Sequence, residues 1–323
     1  MSLPPSFAGR LRLPLIAAPM FRFSTPRLAA ACCKQGVVGS FPAANYRTAT
    51  ELEAAIEGLE AELAATPGTA PWACNLIIAS GVQDDVLEVL LRHKVEIVIT
   101  SVGSPESVVG RLQEGGGLVF ADVGSLRHAQ RAAAVGVDGL VLLSAGAGGQ
   151  TGWVNGFSFV RAVRDWFDGV IVLAGGMNDG AALCAAEVLG VDLGYMGTRF
   201  IATTESAASD DYRAMLVDSA LDDILITKAL TGLQTSILRP ALLRAGLDPR
   251  TLDETVSPRT AKEIYGGGTE GPRRWVDLWS AGHSVSGVTQ VQSVADLVED
   301  IARDYEAAWA AARSRPRFAD RRP

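Results

Sequence analysis

Short apolar runs recur along the chain at intervals of roughly 20 to 35 residues, each followed by a segment with helical periodicity. Eight such runs can be counted: Leu13–Pro19, Val37–Ser40, Trp72–Leu76, Val95–Ser101, Leu118–Asp122, Gly139–Ser144, Val170–Gly175 and Leu193–Gly197. Strands alternating with helices read as repeated βα units around a parallel sheet. Amphipathic helices are expected at Thr50–Ala65, Val82–His93, Ser125–Val135 and Asn178–Leu189, the last with Asn178 as N-cap and Gly190 as its stop. Eight pairs close into an α/β fold of the (β/α)8 TIM-barrel type, whereas an open doubly wound sheet needs a switch point and usually fewer strands.

After the eighth run the rhythm changes. Residues 206–275 carry helical segments at Ser209–Ser219 and Leu221–Leu230, a Gly266-Gly267-Gly268 loop and no strand-like run. They read as a smaller helical domain, a substrate-binding lid inserted over the barrel mouth. Residues 1–205 and 276–323 then form the barrel, closed by a final helix near Val294–Ala312.

A hydrophobic fraction of 48% over 323 residues supports a large core, and the longest apolar runs are strand-length. They fall far short of the roughly 20 residues that span a membrane. The net charge of −7 speaks against a nucleic-acid footprint. A basic cluster closes the chain, Arg313 to Arg322, and its prolines and lack of apolar periodicity read as a frayed end. Cys32, Cys33, Cys74 and Cys184 match neither a C-x-x-C nor a zinc spacing and sit in apolar segments, so they read as buried free thiols. The N-terminus lacks a basic and apolar leader. A cytoplasmic protein is expected.

Three strand ends run into glycine: Ser144-Ala145-Gly146-Ala147-Gly148-Gly149-Gln150, Ala174-Gly175-Gly176 and Met196-Gly197-Thr198. Glycine lets backbone approach a flat ligand closely, although turn-making alone also uses it. In a barrel the active site lies at the carboxyl ends of the strands, and phosphate commonly binds after strands 7 and 8, where Gly175, Gly176 and Gly197 fall. Free backbone N–H groups there, with the Thr198 hydroxyl, suit a phosphorylated cofactor or substrate. The 146–152 loop is no dinucleotide fingerprint, because Thr151 stands where the third glycine belongs. The chain contains no Walker-type, H-E-x-x-H or G-x-S-x-G motif.

Its three histidines can be weighed singly. His93 ends a helix away from the expected site. His128 falls near the mouth or faces a neighbouring helix. His283, in Ala281-Gly282-His283, lies where the chain returns from the insertion, and a catalytic and a structural role are equally open for it.

The chain resembles the nitronate monooxygenase (2-nitropropane dioxygenase) family of FMN-dependent barrels, which includes FMN-containing enoyl-acyl-carrier-protein reductases. The resemblance runs over nearly the whole chain. It rests on Ala17-Ala18-Pro19-Met20, Asn75-Leu76, Thr100-Ser101, Ala145 to Gly149, Leu173 to Gly176, Tyr195 to Phe200, and Thr231-Gly232…Leu238-Arg239. It implies FMN with its phosphate on Gly175, Gly176, Gly197 and Thr198, beside Met196. It places the isoalloxazine near Ala18, Pro19, Met20, Asn75, Ser101, Ala147, Gly148 and Gly149. The implied reaction is oxidation of an alkyl nitronate with O2; the alternative is NAD(P)H-dependent reduction of a quinone or enoyl thioester. A homodimer is also an open expectation.

Two departures from the family pattern stand out. Members usually carry a histidine after the paired glycines, where it takes a proton from a neutral nitroalkane, and here that position is Gln150. A glutamine amide is no base near neutral pH. Conversely the Ala-Gly-Gln usual after the insertion is here Ala281-Gly282-His283. Either His283 replaces the lost imidazole from the opposite loop, or an already ionised nitronate is used and Gln150 only binds the nitro oxygens. Asp122 ends the fifth strand toward the mouth, either as a cofactor-side charge paired with Arg127 or Arg199, or as a cap for the helix after it.

Overall fold

The computed structural model describes residues 3–78, 82, 84–266 and 272–314. Eight parallel strands form one sheet: β1 (Leu15–Ala17), β2 (Gly39–Pro42), β3 (Trp72–Ile77), β4 (Ile97–Ser101), β5 (Leu118–Val123), β6 (Gly139–Leu143), β8 (Val170–Ala174) and β9 (Leu193–Met196). Around the sheet they run β1-β9-β8-β6-β5-β4-β3-β2. The ring closes at Val38, which bridges Ile16; Ala17 N–H donates to Val38 O at 2.8 Å and Val38 N–H to Leu15 O at 3.0 Å. The expected TIM-barrel fold is therefore formed.

The pleat explains why these strands are apolar throughout. Ile97, Ile99, Phe120, Val141, Val170 and Val172 form an inner cluster, joined by Phe7 from the short helix Pro5–Phe7. Their chain neighbours Val98, Val119, Leu140 and Ile171 face outward into the larger core beneath the helices. Alternate side chains leave opposite faces of a strand, and a barrel strand buries both.

Helix ends follow local chemistry. The helix Leu126–Ala134 starts at Ser125, whose hydroxyl accepts from His128 N–H at 3.2 Å. The helix Gly180–Leu189 is capped by Asp179, not by the expected Asn178: the Asp179 carboxylate accepts from Ala182 N–H at 2.8 Å. Gly190 does stop it, in the left-handed conformation at φ 105°. A Cβ on Gly180 would collide with Ile301 O and Tyr305 N. The closing helix Val294–Ser314 therefore lies directly against bare backbone. Residues 315–323, which hold most of the basic tail, and Gly267 and Gly268 lie outside the described residues.

The insertion is anchored by aromatic stacking. Tyr212, on the helix Asp210–Asp218, stacks on Trp279 with centroids 4.7 Å apart, and Arg244 lies 3.7 Å over the same indole. Phe23, from the loop after β1, meets Tyr212 edge-on at 5.0 Å. The expected helix over Leu221–Leu230 does not form. A short turn at Leu221–Asp223 leads into β10 (Ile224–Thr227), antiparallel to β11 (Thr235–Leu238). β11 also pairs with β7 (Gly149–Gln150), in the glycine loop after β6. Hydrogen bonding to a distant loop, not helical spacing, decided this segment.

Candidate active site at the barrel mouth

At the carboxyl ends of the strands lies a cavity of about 1740 Å3. Its wall includes Ala18, Pro19 and Met20 after β1, Asn75 on β3, Ser101 on β4 and Asp122 on β5. The glycine loops bring Ala147, Gly148, Gly149 and Gln150, then Gly175 and Gly176, then Met196, Gly197 and Thr198. The fold thus collects these residues, far apart in the chain, around one space.

The two loops after β8 and β9 form a bare-backbone cradle. Gly175 has φ 122° and Gly176 φ 73°, which favour glycine. A Cβ on Gly175 would collide with the Ser144 hydroxyl, itself held to Ala174 O at 2.7 Å. A Cβ on Gly176 would meet nothing within 4 Å, so that glycine faces open space. The backbone N–H groups of Gly175, Gly176, Gly197 and Thr198 donate to no acceptor among the described residues. Free backbone amides on residues that line one cavity are the kind of group that binds an anion without a cation.

The loop after β6 is held from both sides. His283 N–H donates to Gly146 O at 2.9 Å, and the Ser236 hydroxyl to Ala147 O at 2.8 Å. Gly282 N–H donates to the Thr198 hydroxyl at 3.0 Å. A Cβ on Gly148 would come within 2.8 Å of Gly282 N, so glycine at 148 is what lets the two loops approach this closely. Gln150 sits opposite Thr235 in the β7–β11 pairing and faces the cavity.

On the barrel side, Asn75 Nδ2 donates to Ile99 O at 2.9 Å and to Ser101 Oγ at 3.1 Å. Both amide protons are engaged, which leaves Oδ1 as an acceptor. Asp122 has a sealed Oδ1 with no hydrogen-bond partner, and it makes no ion pair among the described residues. It is therefore paired with neither Arg127 nor Arg199, and Ser125 has taken the capping role considered for it. Burial pushes the Asp122 carboxyl up to about 7. Burial and the Asp122 charge together drive the Tyr195 phenol well above its usual range.

The model of the nitronate monooxygenase family matches residues 8–304. The chain belongs to this family. It is 28% identical over 287 residues to a nitronate monooxygenase of Paraburkholderia phytofirmans, covering 76% of this chain and 78% of that protein. It is also 28% identical over 233 residues to the Mycobacterium tuberculosis (3aS,4S,5R,7aS)-5-hydroxy-7a-methyl-1-oxo-octahydro-1H-indene-4-carboxyl-CoA dehydrogenase, covering 71% of this chain. The chain spans 64% of the length of that dehydrogenase and of its Rhodococcus jostii counterpart. Among solved structures, FabK from Thermotoga maritima superposes with a TM-score of 0.76 at 26% identity, covering 94% of this chain and 96% of that one.

In this nitronate monooxygenase family member the three histidines fall in different places relative to the cavity. His283 is half-buried, and its ring packs on the Gly146 backbone: a Cβ there would lie 2.9 Å from Nδ1. His283 is not among the residues that line the cavity, so the geometry gives no support to the expectation that it supplies an imidazole opposite Gln150. His93 is remote from the mouth, with Nδ1 2.9 Å from Glu60. His128 does line the cavity, exposed on its helix.

The insertion adds lining residues that sequence reasoning did not single out, among them Tyr212, Lys228, Gln234 and Arg274. Of the tryptophans, Trp153 and Trp275 line the cavity and Trp279 is buried in the stack with Tyr212. The signal for β10 and β11 was present in Ile224, Ile226 and Thr227, then Thr235 and Ile237, separated by Gly232 at φ 73°.

Proposed function

We propose that the protein is an FMN-dependent oxidoreductase. The observation that carries this reading is the set of free amides at Gly175, Gly176, Gly197 and Thr198, facing one cavity beside a glycine-paved wall. That cradle fits a phosphate without a cation, and the bare backbone of Gly148 and Gly149 fits the approach of a flat ring. When bound, the flavin supplies the electron chemistry, and the protein supplies binding, orientation and electrostatics.

The proposed reaction is oxidation of alkyl nitronates with O2. Gln150 presents an amide N–H to nitro oxygens and takes no proton. The substrate in this reading is the ionised nitronate: position 150 carries no base and His283 stands outside the cavity, while His128 lines it from an exposed helix position. Asn75 Oδ1 and Asp122 complete the polar wall, and at neutral pH a large fraction of Asp122 is protonated and able to donate.

A second reading, NAD(P)H-dependent reduction of a quinone or enoyl thioester, is favoured by size. The cavity of about 1740 Å3 exceeds the roughly 300–1,000 Å3 usual for one small ligand. The relatives named as CoA dehydrogenases act on a thioester by their names.

Anaerobic absorbance near about 450 nm, where bound oxidised flavins absorb, separates the readings. Bleaching by propionate 3-nitronate alone supports nitronate oxidation, and bleaching by NADH or NADPH alone supports the reductase. A purified protein with no flavin rejects both. A homodimer and a cytoplasmic location belong to the same proposal; the four buried, free cysteines support a reducing compartment. Among the described residues no helix is long and apolar enough to cross a membrane.

A further inference from the structure

The cavity wall is charged against the sign of the chain. The protein carries a net charge of −7, yet the cavity is lined by Arg22, Arg131, Lys228, Arg259, Lys262 and Arg274 against only Glu106 and Asp122. Four of those cations belong to the insertion, and backbone contacts draw their segments together. Gly232 N–H donates to Lys228 O at 2.7 Å in the turn after β10. A Cβ on Gly232 would meet Pro258 N and Cα, at the start of the helix Pro258–Tyr265 that bears Arg259 and Lys262. Arg274 N–H donates to Tyr265 O at 2.9 Å, and its guanidinium reaches Leu230 O at 3.5 Å.

These cations are left for a ligand. Lys228, Lys262 and Arg274 make no ion pair among the described residues, and Arg259 has only the solvent-exposed Glu263 of its own helix, at 3.1 Å. The nearby Glu254 is taken by the Thr227 hydroxyl and the Lys228 backbone N–H, at 2.8 Å for the latter, rather than by the Lys228 ammonium. Arg274 is half-buried, and burial lowers its pKa with no carboxylate to offset it. Trp153, 75% exposed, and Trp275 line the same cavity.

A nitronate carries one charge and needs no such array. We propose that Lys228, Arg259, Lys262 and Arg274 form a subsite for the adenosine diphosphate end of a second ligand, the chemistry shared by coenzyme A thioesters and nicotinamide dinucleotides. The inference rests on the flavin reading only in assigning the Gly175–Gly176 cradle to the first ligand. Cations on a mobile-ended side chain suit phosphate oxygens, Arg by its fork and Lys as a point charge. Tryptophan faces suit adenine stacking.

The test is calorimetric titration of the purified protein with coenzyme A, NADPH and pantetheine, the last carrying the thiol arm without phosphate. Coenzyme A or NADPH is expected to bind with an affinity that falls as salt rises, and pantetheine at least about tenfold more weakly. The Lys228→Ala/Lys262→Ala variant is expected to lose about tenfold in affinity at unchanged flavin content, and Lys228→Arg/Lys262→Arg to regain most of it. Tighter coenzyme A identifies a thioester substrate, and tighter NADPH a dinucleotide donor. A flavin-loaded protein that binds neither, or binds them equally well in the alanine variant, overturns the subsite. A flavin-free protein that binds coenzyme A through the two lysines upholds the subsite and overturns the flavin reading instead.

Discussion

At the scale of single residues, the cavity combines positions that only glycine can fill with one carboxyl that burial leaves without a partner. Asp122 holds its proton up to about pH 7 in the fold against an ordinary value of 3.8, so folding takes up a proton between those limits. Stability falls as pH rises through that window and levels off above it. Asp122→Asn removes the effect: in flavin-free protein its melting advantage should be absent near pH 4 and full at pH 8, worth at most about 4 kcal/mol. Parallel melting curves for variant and wild type would refute a buried, unpartnered carboxyl. Gln150→His adds an imidazole directly after the paired glycines, so it should extend activity from ionised nitronates to neutral nitroalkanes, read as substrate-dependent O2 uptake with 2-nitropropane. No gain would count against Gln150 as the residue that sets substrate ionisation. His283→Ala should keep its turnover and lose about 1 kcal/mol of stability, since the ring packs on Gly146 outside the cavity. Abolished turnover at normal flavin content would restore the imidazole to the chemistry.

At the scale of elements, the decisive contacts are those between segments distant in sequence. The helix Gly180–Leu189 meets the helix Val294–Ser314 through Gly180, where an added methyl has no room against Ile301 O and Tyr305 N. Gly180→Ala should destabilise by about 3 kcal/mol through overpacking, with earlier proteolysis of the C-terminal helix in urea titrations. Unchanged cleavage would show that the helices can separate at no cost. The same logic explains why helical spacing misread Leu221–Leu230. Ile224–Thr227 is half-exposed and gains its order from β11, and β11 gains its place from Gly149 and Gln150 in a barrel loop. Four-residue strands carry too little pattern to be read without the partner that satisfies their backbone. Barrel strands were legible because both their faces are buried, which makes each a continuous apolar run. Helix caps were legible to within a residue: Asp179 rather than Asn178 begins its helix because its carboxylate reaches Ala182 N–H.

At the scale of the whole molecule, the barrel holds the mouth loops and the insertion completes the cavity, joined by the stack of Tyr212, Trp279 and Arg244. A ligand that binds only this assembled form stabilises all of it. FMN at about 100 times its dissociation constant should add about 2.7 kcal/mol, raising the melting temperature by about 4 °C over flavin-free protein. No shift on adding FMN back would remove the cradle from consideration as its site. The sequence alone determined the eightfold βα rhythm, the glycine loops at the mouth and the family, because burial periodicity and glycine's backbone freedom are local properties. Only the tertiary structure decided that His283 packs behind the Gly146 loop rather than in the cavity, that β11 pairs with that loop and β10 with β11, and that the insertion's cations line the same cavity. Each of those depends on which distant backbone groups satisfy one another, and a chain's own periodicity does not encode that.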